Sequence, residues 1–434
     1  MCERSQRFSV VVSTATLVCF LFPAASHAQT GPGTAPAPVR RVTMEQAVQL
    51  ALDRNQSLRA QRLNIDQSKA NEVTAGLKPN PIFGSLNAGF PAFNPSQLSW
   101  SNLADNQSFT ESLNYPFERG GKREKRILVA EDTTRFTART VDDAARQLRF
   151  QVAQAFINVL LAKSNLDLAN QDLKDFSEVV EINRQRMQSG DISESDYLKI
   201  AVQKLQFEQD VSAAEVALVQ GKAALRQLLG YDVVAEDFDV VGDLTHGKYA
   251  VTLQGLQQEA LSARPDLQAA RDNTKLANDT VALAYGNRAR DLIGEVEYER
   301  NGPANAIGFG LSIEIPIHNR NQGEIARSKL AVTQAQESED ATRIGVLTDV
   351  VNAYAGYQTN DKVVSLYESG YLDQARQSRD ISTYAYRRGA SSLLDLLDAE
   401  RTYRATQLAY RQGLAAYMIS VEQINFVVGK QVIQ

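Results

Sequence analysis

From Lys122 to Gln188 the sequence contains neither proline nor glycine and is rich in Ala, Gln, Leu, Arg and Glu, which give up little on entering a helix. At 1.5 Å per residue, such a helix is on the order of 100 Å long. A rod of that length is not stable alone. It must pack along its side against partners, in a coiled-coil-like wall. Gly190-Asp-Ile-Ser193 ends the run as a turn, with Ser193 capping a second helix that reaches Leu229 and stops at Gly230. A further proline-free helical run is expected over about 322–388.

Both long runs are preceded by a short strand. Phe309, Leu311, Ile313 and Ile315 alternate with Gly310, Ser312 and Glu314 before Pro316, the pattern of a strand with one apolar and one polar face. Phe109, Leu113, Tyr115 and Phe117 alternate with Thr110, Ser112 and Asn114 around Pro116 in the same way. Glu111 falls in the apolar phase and predicts a shorter or bulged strand there. Two partner strands are expected at about 82–90 and 291–300, giving hairpins with 107–117 and 306–317. Pro91 to Gln107 reads as the loop of the first hairpin.

The chain also repeats itself. Thr43 to Leu52 lines up with Thr252 to Leu261, and at the same offset Leu58 meets Leu267 and Ala60 meets Ala269. At slightly smaller offsets Phe109 matches Phe309, Pro116 matches Pro316, Gly190 matches Gly389, Asp196 matches Asp395 and Gly230 matches Gly429. Two units, 43–231 and 252–434, are expected, each running helix, helix, strand, strand, long helix, helix. Residues 232–251 would link them. Thr43 with Gln46 forms a capping-box signature at the first opening, and Lys78-Pro-Asn-Pro81 stops the helix before the first strand.

Residues 1–28 carry the marks of an export signal: Arg4 and Arg7, an apolar core from Val10 to Phe22, and Ser26-His-Ala28. A membrane anchor fits less well, because the run is short and Pro23 follows it; lipid attachment at Cys19 is a further alternative. A disordered lead over 29–42 would follow. Cleavage would remove Cys2 and Cys19, both of the cysteines, and leave His246 and His318. No disulfide, thiolate metal site, Ser-His-Asp triad or zinc cluster can then be assembled. Gly120-Gly-Lys122 lacks the spacing of a phosphate loop. The charge of −5 is dispersed, and no basic stripe suggests nucleic acid. No catalytic residue, cofactor or metal ligand is expected, and His318 reads as a solvated residue at a strand–helix joint.

Four amphipathic strands cannot close a membrane sheet, because known single-chain barrels need at least about eight. Several chains must each supply a share. Glu295, Glu297 and Glu299 occupy one phase of the strand Leu292–Arg300, and Glu314 the polar phase of its neighbour. Carboxylates repeated around a ring belong in water, in a barrel wide enough to hold a channel.

The Thr43-x-x-x-Ala-x-x-x-Ala-Leu52 opening with its counterpart at Thr252, Pro79-Asn-Pro81, and the two strand-to-helix joints resemble the TolC family of outer-membrane efflux channels over essentially the whole mature chain. Glu118-Arg-Gly-Gly-Lys-Arg123 and Asn319-Arg-Asn-Gln-Gly323 resemble the branch paired with heavy-metal and cation efflux pumps. The resemblance implies a homotrimer, with a twelve-stranded outer-membrane β-barrel continued by a long periplasmic α-helical barrel. It implies an exit duct for an inner-membrane resistance-nodulation-division pump, reached through a periplasmic adaptor (membrane fusion) protein, with metal cations as cargo. By the same resemblance Asp395 and Asp398 form acidic rings at the periplasmic gate, with Tyr386 in the tip network and Asp196 in the corresponding place of the first unit. The turns carrying Gly190, Asp191, Arg387, Arg388, Gly389 and Ser391 would dock the adaptor. Ser391 stands where some members carry a basic gate partner, a role left to Arg387 or Arg388. Asp395 and Asp398 also fit ordinary acidity at a helix start. Rival readings are a type I secretion or multidrug duct and, from a different class, a soluble periplasmic coiled-coil adaptor or structural rod.

Overall fold

A computed structural model describes residues 39–89, 99–101, 105 and 107–433. The expected export signal at 1–28 lies outside the described residues, as do most of the lead before 39 and most of the first hairpin loop. The described chain is mainly helical with two small sheets. In order it runs β1 (Val39–Val42), α1 (Met44–Arg54), α2 (Gln56–Gly76), β2 (Ile82–Ala88), β3 (Ser108–Phe117), α3 (Lys122–Gln188), α4 (Glu194–Leu229) and β4 (Val234–Val240). It continues with α5 (Leu253–Ala263), α6 (Pro265–Gly286), β5 (Leu292–Asn301), β6 (Ala304–Ile313), α7 (Gln322–Leu366), a π-helical turn (Tyr367–Tyr371), α8 (Leu372–Arg387) and α9 (Leu393–Val428).

Local chemistry explains most boundaries. Thr43 and Gln46 form a reciprocal capping box on α1, Asn55 caps α2, and Pro265 opens α6 in its first turn. The two long helices start in a shared way. Gly121 (φ 63°) precedes α3 and Asn321 (φ 60°) precedes α7, both left-handed, and Asn321 is the one non-glycine with positive φ among the described residues. Only glycine, and less readily asparagine, tolerates that geometry. Asn321 also donates through Nδ2 to the Ala284 carbonyl at 2.7 Å.

Four points depart from the sequence expectations. Part of the expected disordered lead is β1, which pairs in parallel with β4, itself inside the expected linker 232–251. Val42, Val234, Phe238 and Val240 bury together with Phe156, Leu225 and Leu229, and that burial orders both segments. The run 322–388 is not one helix, because Gly370 sits at φ 126° inside the π-helical turn. Gly345 and Gly356 stay within the regular helix, so the interruption belongs to the left-handed angle that Gly370 adopts. The strand carrying Glu111 shows no bulge and stays paired from Ser108 to Phe117. Finally β6 ends at Ile313, so Glu314 lies beyond the strand and pairs with Arg290 at 3.3 Å.

The main sheet is antiparallel in the order β2-β3-β5-β6, so its central pairing joins β3 to β5 across the two halves of the chain. The helices pack around three apolar clusters. One surrounds Phe156 and Phe238, a second Tyr417 and Ile424, and a third consists of Phe176, Ile200 and Phe207. The halves meet where Phe150 stacks on Phe426 at 4.9 Å and Arg146 lies 4.2 Å over the same ring while donating to the Phe426 carbonyl. Buried Asp132 of α3 is held by Lys275 of α6 at 2.6 Å and by Arg135 at 2.7 Å.

Gly120 (φ 75°) sits where an added Cβ would stand 2.7 Å from the Gly286 carbonyl oxygen and from Ala289 Cβ. Gly120→Ala should therefore cost about 1–3 kcal/mol through backbone strain and clash. Gly121→Asn should be nearly silent, since its Cβ would meet nothing closer than 3.7 Å. Thermal unfolding of the two purified variants checks the contrast.

Candidate functional site

Two helix–turn–helix joints lie at one end of the long helices, and Tyr386 of α8 ties them together. Its hydroxyl donates to Asn183 Oδ1 of α3 at 2.7 Å, while fully buried Asn183 donates to the Val179 carbonyl. Arg186 lies 5.7 Å over the Tyr386 ring. The first turn passes through exposed Gly190 (φ 81°) and Asp191 to Ser193, whose hydroxyl caps Asp196 N at 3.1 Å. The second passes through Arg387, Arg388 and Gly389 (φ 73°) to Ser392, which caps Asp395 N at 3.2 Å. Asp196 and Asp395 thus occupy the same third helical position.

Each aspartate is held by its own helix start. The Asp395 carboxylate accepts from the Ser392 hydroxyl at 2.7 Å and the Ser392 amide at 3.0 Å, which holds its pKa below the usual carboxylate value. Asp196 is lowered by Lys199 at 3.1 Å and by the Ser193 hydroxyl. Exposed Asp398 pairs with Arg401 at 2.5 Å. Neither Arg387 nor Arg388 reaches Asp395 or Asp398 within the chain; Arg388 lies 5.5 Å over Tyr384 instead. Ser391 Oγ is buried without a hydrogen-bond partner among the described residues. The helix-start role of Asp395 is therefore real, and it also keeps the side chain ionised and fixed at an exposed tip.

The sheet presents two unlike faces. Directly paired residues share a face, so Glu295, Glu297 and Glu299 stand beside Asn114, Ser112 and Thr110 on one side and Gly310, Gly308 and Ala306 on the other. Along β5 these carboxylates are about 7 Å apart, well inside a screening length of roughly 8–10 Å, so their fields overlap. The opposite face carries Phe83, Leu113, Val296 and Phe309 in one row, with Tyr115 and Leu311, then Phe117, Leu292 and Ile313, below it. Phe309 is 83% exposed and Leu311 71%, an apolar surface with no partner among the described residues. Above Leu113, Glu111 shares a row with Ser85, Tyr298 and Ile307 and accepts from Ser85 Oγ at 2.9 Å, and the rim row beyond it holds Asn87, Phe109, Arg300 and Asn305.

Two features had no sequence signal, because their partners are distant in the chain. His246, after β4, is clamped between Asp361 at 2.9 Å and Glu368 of the π-helical turn at 2.8 Å, edge-on to Tyr417. Burial lowers its pKa, but the two carboxylates outweigh that and raise it. Below the turns, Arg404 of α9 bridges Asp172 of α3 and Asp210 of α4 and lies 4.5 Å over Phe207. Burial raises Asp172 to about 6, against the pull of Arg404. It raises Glu400 to about 7, with Arg379 opposing and Asp172 and Asp175 adding to the shift. His318 is exposed at its joint, and no group of three or more metal-ligating side chains occurs among the described residues.

A family model described as outer membrane efflux protein matches residues 47–231 and again 256–430. The chain is 25% identical to the cobalt-zinc-cadmium resistance protein CzcC of Cupriavidus metallidurans over 421 residues, covering 95% of this chain and 97% of that one. It is 24% identical to the cation efflux system protein CusC of Escherichia coli K12, over 82% of this chain and 80% of the relative. Crystal structures of CusC superpose with a TM-score of 0.74 at 19% identity, covering 89% of this chain and 92% of that chain.

Glu400 offers a pH test. Its folded pKa lies above the unfolded carboxylate value of 4.5, so folding is favoured as pH falls from above 7 toward that value, and the ionised side chain is a burden at pH 8. Glu400→Gln should raise stability at pH 8 by on the order of 1 kcal/mol after allowance for solvent screening. The gain should shrink on acidification and vanish below about pH 4.5. Melting curves of wild type and variant across that range check it.

Proposed function

The chain belongs to the outer membrane efflux protein family, and from that premise we propose how its parts make the exit duct of a tripartite efflux system. The protein resides in the outer membrane and extends into the periplasm as a passive conduit. The observation that carries the proposal is the sheet, which among the described residues has four strands, two unpaired edges, one apolar face and one acidic face. In hydrocarbon an open edge is too costly to persist, so β2 of one copy pairs with β6 of the next until the ring closes. Three copies give twelve strands, wide enough for water, whereas two would give eight and a filled interior. From the rim row of Phe109, Arg300 and Asn305 to Phe117 this face spans about 27 Å of strand, or about 21 Å of height at a 40° tilt, close to a bilayer's apolar band.

In this arrangement the two halves of each chain, 43–231 and 252–434, act as equivalent units around the wall. The twofold match of the family model and the paired left-handed joints at Gly121 and Asn321 support this. The acidic sheet face lines the barrel lumen through Glu295, Glu297 and Glu299. Glu314, beyond β6 and paired with Arg290, belongs to the joint instead. The helical tips form the periplasmic gate, with Asp395, Asp398 and Asp196 as acidic groups and Tyr386 holding α8 to α3. The turns at Gly190–Asp191 and Arg387–Ser391 dock a periplasmic adaptor, which connects the duct to an inner-membrane resistance-nodulation-division pump. Metal cations are the cargo this reading favours, given relatives named for cobalt, zinc and cadmium resistance and for cation efflux. Acidic rings concentrate cations and repel anions through their local field without ligating either.

Single-channel recording in planar bilayers tests this. The wild type should conduct with cation preference, reduced in Asp395→Ala/Asp398→Ala and in Glu295→Gln/Glu297→Gln/Glu299→Gln. If neither variant changes the reversal potential, these residues do not set selectivity. A chain that stays monomeric and water-soluble would refute the barrel itself.

A further inference from the structure

The four places where the chain passes between sheet and helices share a feature that neither the channel lumen nor the tips explain. Each carries an exposed cation with no carboxylate partner among the described residues: Lys78 before β2, Arg119 after β3, Arg288 before β5 and Arg320 after β6. The carboxylates at this level are nearly all taken. Glu118 is paired with Arg126, Asp291 with Lys122 at 2.8 Å, and Glu314 with Arg290. Glu124, in the first turn of α3, and Glu72, one turn before the end of α2, are left without an ion pair among the described residues. Arg123 and Lys125 add two more cations that meet only backbone carbonyls, those of Gly76 and Gly120. The joint region is therefore strongly positive, in contrast to the carboxylate-lined face of β5 just above it.

Its position indicates what it meets. The apolar face of the sheet ends at Phe117, Leu292 and Ile313, and Arg119 continues the register of that face two residues beyond Phe117. On the last crossing the apolar surface runs on through Ile315, 75% exposed, and Ile317, 66% exposed, before reaching Arg320. Tyr285, 44% exposed and capped by Lys329 at 5.6 Å, lies close by at the end of α6. Apolar rows ending in an aromatic residue and then in long cationic side chains match the border between hydrocarbon and headgroups.

We propose that these crossings form a belt that binds the phosphate groups of anionic phospholipids in the periplasmic leaflet and so fixes the height of the barrel in the membrane. Four cations per chain become twelve around a trimer. Each phosphate is held by charge and by arginine forks rather than in a closed pocket. The proposal rests on the reading of the apolar face as lipid-embedded.

The test uses the full channel in detergent, with phosphatidylglycerol or phosphatidylcholine of identical acyl chains added in turn, and inorganic phosphate as a third arm. Lipid retention is read by native mass spectrometry and stability by melting. Wild type should retain phosphatidylglycerol at least tenfold over phosphatidylcholine, and rising salt should erase the preference. Lys78→Gln/Arg119→Gln/Arg288→Gln/Arg320→Gln should abolish it, and the milder Arg119→Gln/Arg288→Gln should reduce it if the fourfold variant does not fold. About fivefold per charge is the expected scale. Equal retention of the two lipids by wild type, or an unchanged preference in a folded variant, overturns the belt while leaving the barrel intact. Stabilisation by inorganic phosphate equal to that by phosphatidylglycerol overturns the lipid assignment. A protein that takes up neither lipid and needs no detergent would remove the lipid-embedded reading beneath it.

Discussion

Backbone amides and carbonyls at the edge of a sheet must find partners, and in hydrocarbon they have no water to turn to. The four-stranded sheet satisfies its interior ladders from Ile82 to Ile313, and no described residue pairs with the outer sides of β2 and β6. Its apolar face forbids leaving those edges in water as well, because Phe83, Phe309 and Leu311 would then stay exposed. A closed ring built from several copies answers both demands together. Assembly from several copies is a requirement of the strand chemistry, and the trimer is the proposed way to meet it.

The helices obey a parallel constraint. A helix as long as α3 is stable only where neighbours cover its side, and within the chain α2, α4, α6 and α9 supply part of that cover. The sheet and the helices must also meet at fixed angles. Gly121 and Asn321 provide the same left-handed step at both long-helix starts, and Asp291 secures one of them by accepting from Arg119 N and Lys122 Nζ. Small residues make the turn possible, and ion pairs make it definite.

Charge is divided along the chain by location. Among the described residues, carboxylates without basic partners occupy one sheet face, capped aspartates occupy the tips, and unpaired cations gather at the joints between them. Inside the helical region, by contrast, charges are paired or raised in pKa. Asp132 is neutralised by Lys275, His246 is held between two carboxylates, and Glu400 and Asp172 are pushed toward the protonated form. Solvent-facing charge can act on cargo, whereas buried charge must first be made tolerable to the fold.

Local features were legible in the sequence because their causes are local. The proline- and glycine-free run predicted α3, Thr43 and Ser193 predicted caps, and alternation predicted which residues of β5 and β6 share a face. The charge of Asp395 was visible, but its double hydrogen bond to Ser392 emerged only with the turn in place. What the sequence could not specify depends on contacts between distant segments. Nothing near Val39 or Val234 announces that they pair, nothing near His246 announces Asp361 and Glu368, and the interruption at Gly370 rests on a backbone angle that one glycine permits but does not compel. Periodicity, capping and chain breakers belong to neighbours in sequence, so the linear chain determined them. Burial, long-range ion pairing and the joining of β3 to β5 depend on which surfaces meet, and only the folded chain decided that.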